Sequence, residues 1–314
     1  MIAAVNHSQL LNKNTKEVIF DEKHPCFHSP HPCGSPLWAA EPCKSAILPI
    51  CHPAGTSYAS KSSPGGFVMV RPIPHGLFVT GTDTGVGKTQ ITAALARLLS
   101  ERNLVVRPRK PVESGCRQEG GRLVPEDART LQTAARSEDP LERICPYSFE
   151  PALSPERAAD LAGVRITLDD LRTACLEGVA GGDFLLVEGA GGFYSPLASG
   201  ILNADLAASL SLPVLLVTAD RLGCIGHTLL AVEAIKRCSL TLAGVVLNQV
   251  ENDGDPRMNN AADLSRWLSE PVLVTGRFDN NTTVPGWMQL CPALAALADR
   301  LAGSNRDLMS REIP

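Results

Sequence analysis

Residues 77–89 read Leu-Phe-Val-Thr-Gly-Thr-Asp-Thr-Gly-Val-Gly-Lys-Thr, and this stretch decides the fold. An apolar run, Leu77 to Val79, enters a glycine-rich turn that closes on Gly87-Lys88-Thr89. Ile91, Ala94, Leu95, Leu98 and Leu99 then recur at helical spacing. Strand, loop and helix in that order are the setting of a phosphate-binding P-loop. Backbone N–H groups around Gly85, Val86 and Gly87, together with the helix N-terminus, make a concave anion site. Lys88 supplies a mobile cation for the outer phosphates, and the Thr89 hydroxyl is placed to ligate Mg²⁺. Five residues separate Gly81 from Gly87, so the loop is one residue longer than the common form. An ordinary glycine-rich turn is the alternative, and the flanking strand and helix argue against it.

Outward from that loop, apolar runs alternate with amphipathic stretches. The runs predict strands at Leu77–Thr80, Leu104–Arg109, Phe184–Glu188, Val214–Thr218, Leu242–Asn248 and Val272–Val274. Helices are expected near 87–101, 127–136, 168–180, 203–210, 225–238, 259–269 and 291–303. Leu185-Leu186-Val187 and Val214-Leu215-Leu216-Val217 are continuous apolar runs, as strands buried on both faces require. The expected fold is therefore α/β, a doubly wound and mostly parallel sheet of the P-loop NTPase type. Its ligands should lie beyond the C-terminal strand ends.

The composition agrees. The 314 residues are 44% hydrophobic and 20% charged, with a formal net charge of −4, enough apolar material for a sizeable core. The slightly acidic balance gives no reason to expect nucleic acid or an anionic membrane as partner, and no apolar run has the length of a membrane span. Six cysteines, Cys116, Cys145, Cys175, Cys224, Cys238 and Cys291, are scattered without paired metal spacing. They read as reduced thiols in a cytoplasmic protein. Residues 1–68 differ from the rest. They hold four cysteines, five of the seven histidines and many prolines and serines, with weak hydrophobic periodicity. Cys26, His28, His31 and Cys33 match no common zinc spacing. This segment is expected to be an unstructured or non-native extension, with a compact domain over 69–314 that could start at Met69.

Other strand tips should bring chemistry to the phosphates. The second strand ends in Arg109-Lys110-Pro111-Val112-Glu113-Ser114-Gly115, which aims Lys110 toward the crevice of Lys88. Two lysines beside one triphosphate stabilise a phosphoryl group in transit. The third strand runs into Glu188-Gly189-Ala190-Gly191-Gly192. An acid at a buried strand end beside a P-loop is the usual place for a Mg²⁺-side carboxylate. Asp127, after Pro125-Glu126, reads equally as a second metal carboxylate or as a first-turn helix acid.

Taken together, these blocks resemble the dethiobiotin synthetase family. The matching segments are Val79 to Thr89, Lys110 to Gly115, Pro146-Tyr147 with Ser154-Pro155, and Val187 to Gly192 with Pro196-Leu197. Leu222-Gly223-Cys224-Ile225 with His227, and Leu242-Ala243-Gly244 with Asn248, complete the set. The resemblance spans roughly 76–275. It implies an ATP-dependent ligase that carboxylates 7,8-diaminononanoate with CO₂ and closes a cyclic urea, through a carbamate and a carbamic-phosphoric anhydride. It further implies ATP as co-substrate, Mg²⁺ on Thr89, Asp127 and Glu188, and charge compensation by Lys88 and Lys110. Thr84 and Ser114 would hold the carbamate, and Gly189, Ala190, Gly191 and Gly192 the substrate. Asn248 would read the adenine, and the protein would be a homodimer.

Three departures stand out. Gly85 replaces an acid that some relatives carry, Gly226 stands where the family usually has Asn, and Thr275-Gly276-Arg277-Phe278-Asp279 lacks an expected proline. Two other functions compete. A different P-loop amidoligase would normally add a glutamine amidotransferase domain, for which no room remains after residue 275. A ParA- or MinD-like switch ATPase would carry an extra lysine where this chain has Thr82-Asp83-Thr84.

Overall fold

The computed structural model describes residues 75–250, 255 and 257–309; the expected boundary near residue 68 lies outside these residues. The chain begins with β1 (His75–Gly81) and α1 (Lys88–Glu101), followed by β2 (Val106–Arg109) and β3 (Val112–Ser114). A hairpin of β4 (Arg117–Glu119) and β5 (Arg122–Val124) leads to α2 (Glu126–Ala135), α3 (Leu141–Ile144) and β6 (Tyr147–Phe149). Then come α4 (Pro155–Ala162), α5 (Leu168–Leu176), β7 (Phe184–Gly192), β8 (Pro196–Ala198), β9 (Ile201–Leu202) and α6 (Asn203–Leu210). The remaining elements are β10 (Val214–Ala219), α7 (Cys224–Arg237), β11 (Leu242–Asn248), α8 (Asn260–Leu264), β12 (Val272–Thr275) and α9 (Gly286–Met309).

Six strands form one sheet in the order β12-β11-β10-β1-β7-β2, and every pairing in it is parallel. All six expected strands are present. β1 lies in the middle, with β7 on one side and β10 on the other, so its C-terminal turn opens into the crevice where the chain switches direction. Side-chain alternation divides the core. Leu77, Val79, Leu186, Leu215 and Val217 face α1, α2 and α9. Phe78, Leu185, Val187, Leu216 and Val245 face the opposite layer, which carries α4, α5, α6 and α7. Pro108, which has no N–H to donate, sits on the edge strand β2.

Several details differ from the expectations. β7 continues through Gly192 rather than ending at Glu188. α9 runs from Gly286 straight through Pro292, although a proline inside a helix removes a hydrogen bond. The helix expected over 259–269 shrinks to α8. Cys116, Cys145, Cys175, Cys224 and Cys291 carry free thiols, whereas Cys238 is disulfide-bonded. That departs from the expected all-thiol set, and Cys238 is the partly exposed C-cap of α7.

Candidate nucleotide and catalytic site

The P-loop is pinned by β10 and by Asn248. The Thr82 N–H donates to the Val217 carbonyl at 2.9 Å, and the Thr82 hydroxyl donates to Thr218 Oγ1 at 3.0 Å. Gly87 sits at φ 90 as the N-cap of α1. A Cβ there would lie 2.1 Å from Asn248 Nδ2, so both the backbone conformation and the close approach demand glycine. Lys88 Nζ donates to the Asp83 carbonyl at 2.8 Å. Burial, and then repulsion from Lys110, lower the Lys88 pKa to about 8 from an ordinary 10.5. Thr84 and Gly85 lie exposed on the loop, while Val86 is buried.

Four residues from four different segments meet beside this loop. Lys110 Nζ donates to Glu188 Oε1 at 2.6 Å and lies 2.9 Å from Asp127 Oδ2. It also reaches the Gly189 carbonyl at 3.3 Å. The Thr89 hydroxyl donates to the same Glu188 Oε1 at 2.8 Å. Glu188 is fully buried, and its Oε2 has no hydrogen-bond partner. Burial would strip Lys110 of its charge, but Glu188 and Asp127 outweigh it and hold the ammonium well above the ordinary lysine range. Burial would likewise raise Asp127, yet Lys110, with help from Thr89 and Lys88, keeps its carboxyl below the usual range. Thr89, Lys110, Asp127 and Glu188 are thus brought together, with Lys88 close enough to feel their charges.

An orphaned carboxylate oxygen beside a second carboxylate and a hydroxyl is a hard, all-oxygen donor set, the kind that suits Mg²⁺. Among the described residues no group of three or more His, Cys, Asp or Glu could hold a metal ion alone. A cation here would complete its shell with phosphate oxygens and water.

The other expected site residues lie around this centre. The Ser114 hydroxyl, at the end of β3, donates to the Leu153 carbonyl at 2.6 Å. Asn248 is buried on the far side of the P-loop. Its Nδ2 donates to the Val86 carbonyl at 3.0 Å, and its Oδ1 accepts from the Thr275 hydroxyl at 2.8 Å. The side chain clamps the loop, and an incoming base would have to share or displace one of these bonds.

Sequence reasoning misses Asn203, the first residue of α6. Its Oδ1 accepts from the Ala190 N–H at 3.0 Å. Its Nδ2 donates to the carbonyls of Ala190, Gly192 and Ser195 at 2.7, 2.8 and 3.1 Å. One buried amide thus shapes the Gly189–Gly192 backbone. A Cβ on Gly189 would lie 2.4 Å from its Oδ1. Glu113 is also missed as a site residue. Buried on β3, it accepts from the backbone N–H groups of Asp127 and Ala128 at 3.0 and 3.1 Å. Burial, and then the neighbouring Asp127 charge, push its carboxyl up to about 7.

Known proteins resemble this chain over much of its length. Residues 75–285 match the family model described as "AAA domain". A protein named ATP-dependent dethiobiotin synthetase BioD from Anaeromyxobacter dehalogenans (strain 2CP-1 / ATCC BAA-258) is 44% identical over 193 residues, covering 61% of this chain and 85% of that protein. Proteins of the same name from Ruthia magnifica and Vesicomyosocius okutanii are 42% and 37% identical. The alignments cover 56% and 65% of this chain, and 80% and 91% of those proteins. Among solved structures, the MinC:MinD cell division complex of Aquifex aeolicus is similar at 13% identity over 76% of this chain and 98% of that one, with a TM-score of 0.42.

Proposed function

Since this chain belongs to the ATP-dependent dethiobiotin synthetase family, we propose that its P-loop and the Thr89–Lys110–Asp127–Glu188 cluster phosphorylate a carbamate and drive its closure to a cyclic urea. The chain is an ATP-dependent cyclo-ligase of biotin biosynthesis. The substrates are 7,8-diaminononanoate, CO₂ and ATP. One amine adds to CO₂ and loses a proton, giving a carbamate. The carbamate oxygen attacks the γ-phosphorus and ADP leaves. The second amine attacks the carbonyl carbon of the mixed anhydride, inorganic phosphate leaves, and the ring closes.

Both partners in the phosphoryl transfer are anions, so their approach costs Coulomb energy unless cations intervene. Lys88 sits in the loop that would cradle the phosphates, and Lys110, beside Glu188 and Asp127, would meet the carbamate. Thr89, Asp127 and Glu188 would hold Mg²⁺, and the orphaned Glu188 oxygen supports that assignment. Once bound, the ion would neutralise charge on the outer phosphate oxygens. The Thr84 and Ser114 hydroxyls would orient the carbamate in line with the γ-phosphate. Gly189, Ala190, Gly191 and Gly192 would offer backbone groups to the substrate. Gly85, Val86, Gly87 and Asn248 would line the nucleotide. The exposed apolar side chains of Leu222 and Leu230, which are 88% and 72% accessible, flank Gly226 and His227 on the α7 segment and support a homodimer. No helix among the described residues is long and apolar enough to cross a membrane. From the family's ATP chemistry and the slightly acidic net charge of −4 we infer a cytoplasmic enzyme without nucleic-acid partners.

The buried Lys110–Glu188 pair beside the P-loop carries this reading. The test is ADP release with Mg·ATP and bicarbonate, with and without 7,8-diaminononanoate, for the native protein and Lys110→Ala. Diamine-dependent turnover to a cyclic urea, lost in the variant, is expected. Diamine-indifferent hydrolysis would return the chain to the switch-ATPase or amidoligase class. Sedimentation velocity tests the dimer.

A further inference from the structure

Helix α2 begins without a local cap. Its N-cap is Pro125, in extended conformation, and no side-chain cap bond is made there. The usual remedy is an N-cap Ser, Thr, Asp or Asn accepting from the backbone N–H of the second or third helical residue. In α2 those residues are Asp127 and Ala128. Both N–H groups donate instead to the two oxygens of Glu113, 14 and 15 residues earlier in the chain. Glu113 is itself buried on β3 and fixed in space by the parallel pairing of Glu113 with Ser148 on β6. The helix end it caps carries Asp127, whose carboxylate lies 2.9 Å from Lys110 Nζ.

We propose that Glu113 is a positioning residue of this active site, capping α2 from a neighbouring strand and so holding Asp127 against Lys110 where it can serve the metal-bound nucleotide. The inference rests on the reading of Asp127 given above. A carboxylate also suits the positive end of the α2 dipole. A glutamine would keep one acceptor oxygen and lose the charge. An alanine would leave two backbone donors without partners. Pro125 offers a route to rescue, because a serine there would supply the missing acceptor locally. The helical bond from the Arg129 N–H to the Pro125 carbonyl uses backbone alone and would survive that change.

The test is calorimetric titration of the full chain with a non-hydrolysable ATP analogue, in Mg²⁺ and in EDTA. Glu113→Ala is expected to cut the Mg²⁺-dependent gain in affinity about tenfold while leaving affinity in EDTA unchanged. Glu113→Gln, which keeps more of the fold's hydrogen bonding, should fall between. Adding Pro125→Ser to Glu113→Ala should restore the gain to within about threefold of native, a recovery that loss of general packing would not allow. A native-like gain in both Glu113 variants, or no recovery with Pro125→Ser, overturns the proposal. Asp127→Asn separates the layers. If it removes the gain and Glu113→Ala does not, only the positioning role falls. If it leaves the gain intact, Asp127 does not serve the metal and both ideas fall. Diamine-dependent ADP release, scored separately, reports on the reaction class itself.

Discussion

Replacing Lys110 with methionine tests whether the buried charge cluster is assembled as described. The ammonium is 2.6 Å from Glu188 Oε1 and 2.9 Å from Asp127 Oδ2. At an effective dielectric of about 20 each contact is worth about 6 kcal/mol of gross attraction. Most of that offsets the cost of taking Lys110 and Glu188 out of water, and solvent weakens the contact to the partly exposed Asp127 further. Removing the lysine exposes the asymmetry, because a fully buried Glu188 is left without its cation. Breaking a buried pair in this way costs about 3–5 kcal/mol. In a domain of this size that lowers Tm by roughly 10 °C. The companion variant Glu188→Gln, combined with Lys110→Met, removes the stranded charge. The double variant should regain at least half of the lost stability, giving a coupling energy above about 1.5 kcal/mol. Diamine-dependent ADP release should stay at least about a hundredfold down in both. Thermal unfolding and urea titration of the four proteins measure the cycle. Coupling below about 0.5 kcal/mol, or a Lys110→Met variant as stable as the native protein, would refute the argument that Lys110 is held by Glu188.

Four further outcomes can be measured. Gly87→Ala should abolish binding of ATP analogues, because its Cβ would clash with Asn248 Nδ2 at 2.1 Å at a φ of 90; calorimetry would read this directly. Asn203→Ala should lower Tm and cut kcat/KM by about tenfold or more, since the Gly189–Gly192 backbone loses its buried partner. Lys88, with its pKa lowered to about 8, should be neutral above that pH. Phosphate favours its charged form, so nucleotide affinity should fall by up to about tenfold per pH unit above 8, and binding near pH 8 should take up a proton, seen by calorimetry in two buffers. Burial pushes the Cys175 thiol up to about 12 from 9.0. A raised pKa means stability present below the unfolded value and lost as pH rises, so urea midpoints should decline from pH 9 upward, less steeply in Cys175→Ala.

Much of the fold is legible because buried parallel strands advertise themselves. Leu185-Leu186-Val187 and Val214 to Val217 have no polar face to disguise them, and each forms a central strand. The short elements are not legible. β3 and β6 hold only three residues each, and their pairing joins positions 112–114 to 147–149, a separation no local pattern encodes. α9 begins earlier than its sequence suggests, because Pro292 reads as a first-turn residue, yet the helix starts at Gly286 and continues through it. Packing of Leu290, Leu294 and Leu297 in the core outweighs one missing hydrogen bond.

The same division runs through the site. Lys88, Thr89, Lys110 and Glu188 are readable because each lies within or directly after a buried strand or a glycine loop, so its direction is set by local geometry. Asp127 is ambiguous in sequence between helix acid and metal ligand, and its contact with Lys110 supplies what spacing could not. Asn203 and Glu113 are invisible for a different reason. Each acts on backbone N–H and carbonyl groups, which every sequence possesses, and only the tertiary fold says which ones a side chain will meet. A missing local cap is the one signal that could have found Glu113. Pro125 opens α2 without an acceptor side chain, and a buried helix start must obtain its acceptors elsewhere.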